Sequence, residues 1–128
     1  MSTDTPAAAP GKVVHIVQFK YKPGTSDDEK VLVADRFQEL AKTCLSRVTG
    51  KPYIVSLAAG LNVTRETEHD KGYEHAFVVT FQNEADLDYY IHDDPVHGAF
   101  KAFAGPFLYA DVSVFDFVDG VFQKKKKE

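Results

Sequence analysis

Five histidines occur in the chain, and the local pattern around four of them suggests chemistry. His97 falls at about the third residue of a helix that Asp94-Pro95 would start. The positive end of a helix disfavours an extra proton on imidazole, and a neutral ring near pH 7 can serve as a general base. Asp93 and Asp94 act in the opposite sense, because their charges favour the imidazolium. Tyr89 and His92 lie three apart on the preceding helix and can share a face. Tyr89 or Tyr90 could supply a phenol that polarises a carbonyl. His15 and His75 have the parity of the apolar residues in two strands, as do Tyr21 and Tyr73. Each histidine alone reads as a satisfied core residue. Together with the tyrosines they suggest a partly polar cavity, lined by His15, His75, Tyr89 and His97.

Other chemistries lack their residues. His15 and His75 are expected several strand positions apart, at ~3.3 Å per residue, which is too far to share one metal. No Cys/His cluster or His-x-x-x-His helix suggests zinc, and no cofactor motif is apparent. There is no nucleophile elbow and no phosphate-cradling glycine loop. Cys44 lies on an apolar helix face and reads as a small hydrophobe. His69, Glu66, Glu68 and Asp70 belong to a charged, solvated loop.

The elements that must position these groups follow from periodicity. Residues 12–22 alternate, with Val13, His15, Val17, Phe19 and Tyr21 on one face. Ser26 to Glu29 forms a capping box for a helix whose stripe carries Val33, Phe37, Leu40, Ala41, Cys44 and Leu45. A second strand over 53–63 places Tyr53, Val55, Leu57, Ala59 and Leu61 together, and Gly60 hints at a bulge or a close approach. A third runs over 73–81. Asn83 and Asp94 cap two helices, Gly105-Pro106 ends the second, and a final strand covers 108–118. The order β-α-β-β-α-α-β, with a right-handed first crossover, predicts a ferredoxin-like α+β sandwich: a four-stranded antiparallel sheet with helices on one face.

That arrangement leaves Val14, Ile16, Ala76, Val78, Phe115 and Phe117 on an uncovered outer face. So much apolar surface predicts a homodimer, sheet against sheet. The chain of 128 residues reads as one domain over 12–119, between a disordered lead-in (1–11) and a basic tail (120–128). A formal charge of −4 argues against general nucleic-acid binding. No apolar run reaches the ~20 residues of a membrane span. The lack of a secretory pattern and the single cysteine suggest a cytoplasmic protein.

Taken together, Val14-His15-Ile16-Val17, Gly72-Tyr73-Glu74-His75, Thr80-Phe81, Tyr89-x-x-His92, Pro95-x-His97-x-x-Phe100 and Val114-Phe115-Asp116-Phe117 resemble the stress-responsive α/β-barrel (Dabb) domain family over roughly 13–118. The resemblance implies a dimeric α/β barrel. It also implies relation to a plant polyketide cyclase of that family, which closes a linear tetraketide-CoA by intramolecular aldol condensation, without a cofactor. By that likeness His97 matches the base. Tyr89 matches the assisting tyrosine if Asp93-Asp94 is an insertion; without the gap the position falls on Ile91. His15 and His75 match pocket histidines, Tyr73 and His92 join them as substrate-binding candidates, and Phe37 stands where the cyclase has a pocket tyrosine. Two functions follow. One is a cofactor-free cyclase-like lyase with a histidine base. The other is a non-catalytic stress-response dimer that binds a small hydrophobic or aromatic ligand. A cofactor-free monooxygenase is a third.

Overall fold

The computed structural model describes residues 11–124. The expected lead-in, apart from Gly11, and the end of the basic tail lie outside the described residues. The elements are β1 (Val13–Phe19), α1 (Asp27–Thr43), β2 (Ile54–Leu61), β3 (His75–Phe81), α2 (Glu84–His92), α3 (Pro95–Ala104) and β4 (Ser113–Val118). Short 3₁₀ turns occupy Thr67–His69 and Gly105–Phe107. The sheet order is β2-β3-β1-β4, with every neighbouring pair antiparallel. β1 and β2 therefore run parallel with β3 between them, as the crossover rule requires. This is the ferredoxin-like fold. Among the described residues no helix is long and apolar enough to cross a membrane.

Local sequence explains the helix starts. Ser26 accepts from the Glu29 amide while the Glu29 carboxylate accepts from the Ser26 amide. Asn83 caps α2 through the Asp86 amide, and Asp94 caps α3 through the Val96 amide with Pro95 in the first turn. Each side-chain acceptor satisfies an amide that the helix geometry leaves without a partner. α1 buries Val33, Phe37 and Leu40. Phe37 stacks on Phe77 of β3 at 4.0 Å between ring centres and meets Phe100 of α3 edge-on at 5.1 Å. Burying such a ring contributes about 1.5–3 kcal/mol.

Three local readings need correction. β2 carries a register shift between Ile54 and Ser56. Ile54 therefore turns inward opposite Phe81, while Val55 is exposed. The irregularity sits at Val55 and not at Gly60. Leu45 lies past the end of α1, bridged to Pro52, and is exposed. The last strand is shorter than expected, because residues 105–112 first turn and then run beside Tyr21 through a bridge from Leu108.

The two faces of the sheet differ as the parity predicts. Val13, His15, Val17 and Phe19 are buried beneath the helices with Phe77, Val79 and Phe81. On the other side Ile16 pairs with Val78 and Phe115, Val14 with Thr80 and Phe117, and Ala76 with Gln18. Phe115 is 64% exposed there. β4 lies at the edge of the sheet, beyond the helices: Val114, opposite Val17 and on its side of the sheet, remains 54% exposed. The space between this edge, α3 and residues 105–112 is a cavity.

Candidate active site

The cavity has a volume of about 650 Å³, within the range of about 300–1,000 Å³ usual for small-molecule sites. Its apolar wall includes Val17, Phe19, Phe37, Phe100, Leu108 and Val112. Its polar groups are His15, His97, Tyr109, Lys22 and Lys101.

His97 is buried at the third position of α3. Its Nδ1 lies 2.7 Å from the backbone carbonyl of Tyr90. A carbonyl only accepts, so the neutral ring carries its proton on Nδ1 and keeps a lone pair on Nε2. That carbonyl is available for a local reason. The Asp93 and Asp94 amides both turn to Tyr89, leaving the Tyr90 carbonyl in the last turn of α2 for His97. The Tyr90 ring stacks on the imidazole at 3.7 Å and 11°, fixing its plane. Burial, chiefly, lowers the His97 pKa to about 4, opposed by the Tyr90 hydrogen bond and assisted by Lys101. The sequence sets the helix end against the two aspartates; desolvation, rather than either, is the main influence that disfavours the imidazolium.

The unfolded ring, with a pKa of 6.5, takes up a proton that the folded one refuses until about pH 4. Stability from this group is intact above pH 6.5 and is lost as pH falls towards 4, by about 3 kcal/mol. Urea denaturation of His97→Gln should therefore show a shallower acid decline than the wild type between those limits. Equal slopes would contradict the buried neutral imidazole.

His15 faces the same cavity from β1. Its Nδ1 is 2.5 Å from Oδ1 of Asp116, its direct cross-strand partner on β4. Its ring also meets Tyr90 edge-on at 5.8 Å. Tyr90 is wholly buried, and its hydroxyl has no hydrogen-bond partner among the described residues. An unmet buried hydroxyl costs about 1–3 kcal/mol. Tyr90→Phe should thus leave the thermal midpoint unchanged or raise it; a clear fall would reveal a partner for that hydroxyl.

The other sequence candidates fall elsewhere, except Phe37, which lines the cavity. Tyr89 packs edge-on against Tyr53 at 5.6 Å, beneath the Arg47 guanidinium. Ile91 of the same helix is the residue that reaches the cavity. His75 sits opposite Phe19 and hydrogen-bonds Tyr21 through Nδ1 at 2.8 Å. Phe19 itself lines the cavity, but His75 does not. Tyr73 donates to the Asp111 carbonyl at 3.1 Å. With His75 it borders a second concavity of about 600 Å³, which reaches the outer sheet face at Ala58, Ala76 and Val78. His92 is exposed at the end of α2. Cys44 is buried beside Asp94, and burial pushes its thiol pKa up.

Sequence reasoning passed over four residues of this region. Asp116 has the parity of Val112 and Val114, which was a usable signal of an inward carboxylate. Lys101 lies four residues after His97, on the same helix face. Tyr109 and Lys22 gave no signal, because only the path of residues 105–112 brings them to the cavity. No group of three or more His, Cys, Asp or Glu among the described residues could hold a metal ion.

This architecture and site define a ferredoxin-like protein with a helix-side cavity. The chain belongs to the Stress responsive A/B Barrel Domain family, whose sequence profile matches residues 13–119. Its fold is similar to that of hydroxynitrile lyase from Passiflora edulis, at 20% identity and a TM-score of 0.70, over 90% of this chain and 100% of that one. An Arabidopsis thaliana protein is similar at 24% identity and 0.68, over 88% and 99%. A Thermobifida fusca protein described as dimeric and ferredoxin-like is similar at 20% and 0.65, over 91% and 99%. No curated protein sequence matches the chain.

Proposed function

We propose that this protein is a homodimeric, cofactor-free lyase of the polyketide-cyclase type, with His97 as its general base. The observation that carries the reading is the held, neutral imidazole at the wall of an apolar cavity, its Nδ1 bound to the Tyr90 carbonyl. In an aldol closure Nε2 removes a proton from the carbon between two carbonyls. The resulting enolate carbon bonds to a distal carbonyl carbon. The new alkoxide then takes a proton, returned by the imidazolium. An apolar cavity strengthens the electrostatics of these transfers and keeps competing water out. Tyr109, a tyrosine on the cavity wall, takes the polarising role expected of Tyr89 or Tyr90.

The test is turnover by the wild-type protein on β-polyketo thioesters, with a cyanohydrin arm prompted by the Passiflora edulis neighbour. Ring closure or cyanide release above the buffer rate supports a lyase. A second reading, a dimer that binds a hydrophobic ligand without changing it, is favoured by one observation: Phe37 and Ile91 present hydrocarbon where the cyclase-like pattern calls for phenols. Tight binding of aromatic ligands with no turnover on either panel would establish it.

A further inference from the structure

The charged groups on the cavity wall are of one sign. Lys22 follows β1 and Lys101 lies on α3; both are exposed residues that border the cavity, which puts them at its mouth. Among the described residues no Asp or Glu lines the cavity, although the chain carries a net charge of −4. Two nearby carboxylates already have partners. Asp116 is bonded to His15, and Asp111 to Lys20 at 2.9 Å. Among the described residues neither Lys22 nor Lys101 forms an ion pair; the Lys101 ammonium donates only to the Ile91 carbonyl at 3.3 Å. Behind this cationic rim the wall is hydrocarbon and aromatic: Val17, Phe19, Phe37, Phe100 and Leu108.

We infer that the cavity selects amphipathic anions, holding an apolar or aromatic tail against Phe37 and Phe100 and an anionic head group, carboxylate or phosphate monoester, between Lys22 and Lys101. The inference rests on the cavity being the ligand site, but not on catalysis by His97. Two cations on one rim, where water is only partly excluded, should give an anion held there an advantage of about tenfold over a neutral isostere. The advantage should shrink as salt screens the rim.

The test is calorimetric titration of the wild type, Lys22→Gln and Lys101→Gln with three probes sharing one tail: 5-phenylpentanoate, 5-phenylpentyl phosphate and 5-phenylpentanamide. The wild type should bind at least one anion about tenfold more tightly than the amide, and the tighter of the two anions identifies the head group. Each lysine variant should lose most of that preference while binding the amide as before. Equal binding of all three probes by the wild type would overturn the inference. So would a preference that survives in both variants, or failure of every probe to bind. Because these are binding measurements, an inactive enzyme leaves them intact, and a failure here leaves the His97 mechanism to its own assay.

Discussion

His97→Gln should lower turnover by about 10²–10⁴-fold, the usual contribution of a positioned general base. Glutamine keeps similar bulk beneath the Tyr90 ring but has no basic nitrogen, so the dimer should stay folded. The loss should fall on the chemical step, with little change in the affinity of a non-reacting ligand. In the wild type the rate should fall as pH drops towards 4, where the ring becomes protonated. That acid limb should be absent from any residual activity of the variant. Unchanged turnover by a correctly folded His97→Gln protein would remove the mechanism.

Phe115→Asp should convert the protein from a dimer to a monomer. Phe115 is 64% exposed on the outer sheet face and lies beside Phe117, with ring centres 6.3 Å apart. A two-fold interface uses the position twice, and each buried ring contributes about 1.5–3 kcal/mol, so the dissociation constant should rise by about two to four orders of magnitude. Two unpaired carboxylates facing an apolar sheet add to the effect. Light scattering at micromolar concentration reads the mass directly. A wild-type monomer, or a Phe115→Asp dimer of unchanged strength, would contradict the proposed interface.

The features legible in the sequence are those set by neighbours along the chain. Ser26, Asn83 and Asp94 announce three helix starts because a cap needs only the next few amides. Strand parity placed His15 beneath the helices and Phe115 outside, because alternation depends on nothing distant. The bulge at Val55 was hidden: Tyr53, Val55 and Leu57 alternate without a break, and only pairing with β3 reveals the extra residue. The site was partly hidden for the same kind of reason. Tyr89 and Ile91 lie about 200° apart around a helix, so the choice between them depends on the rotation of α2, which packing fixes. The His15–Asp116 pair depends on the register of β4 against β1, and Tyr109 and Lys22 depend on how residues 105–112 cross the end of the sheet. Local pattern carries none of that information.

The state of His97 is the point on which the chemistry turns, and nuclear magnetic resonance of protein labelled with ¹⁵N-histidine reads it directly. Across a pH titration the ring should remain the neutral Nδ1–H tautomer down to pH 5 and titrate near 4. Titration near the ordinary 6.5, or the proton on Nε2 at neutral pH, would contradict a buried base held by the Tyr90 carbonyl with its lone pair turned to the cavity.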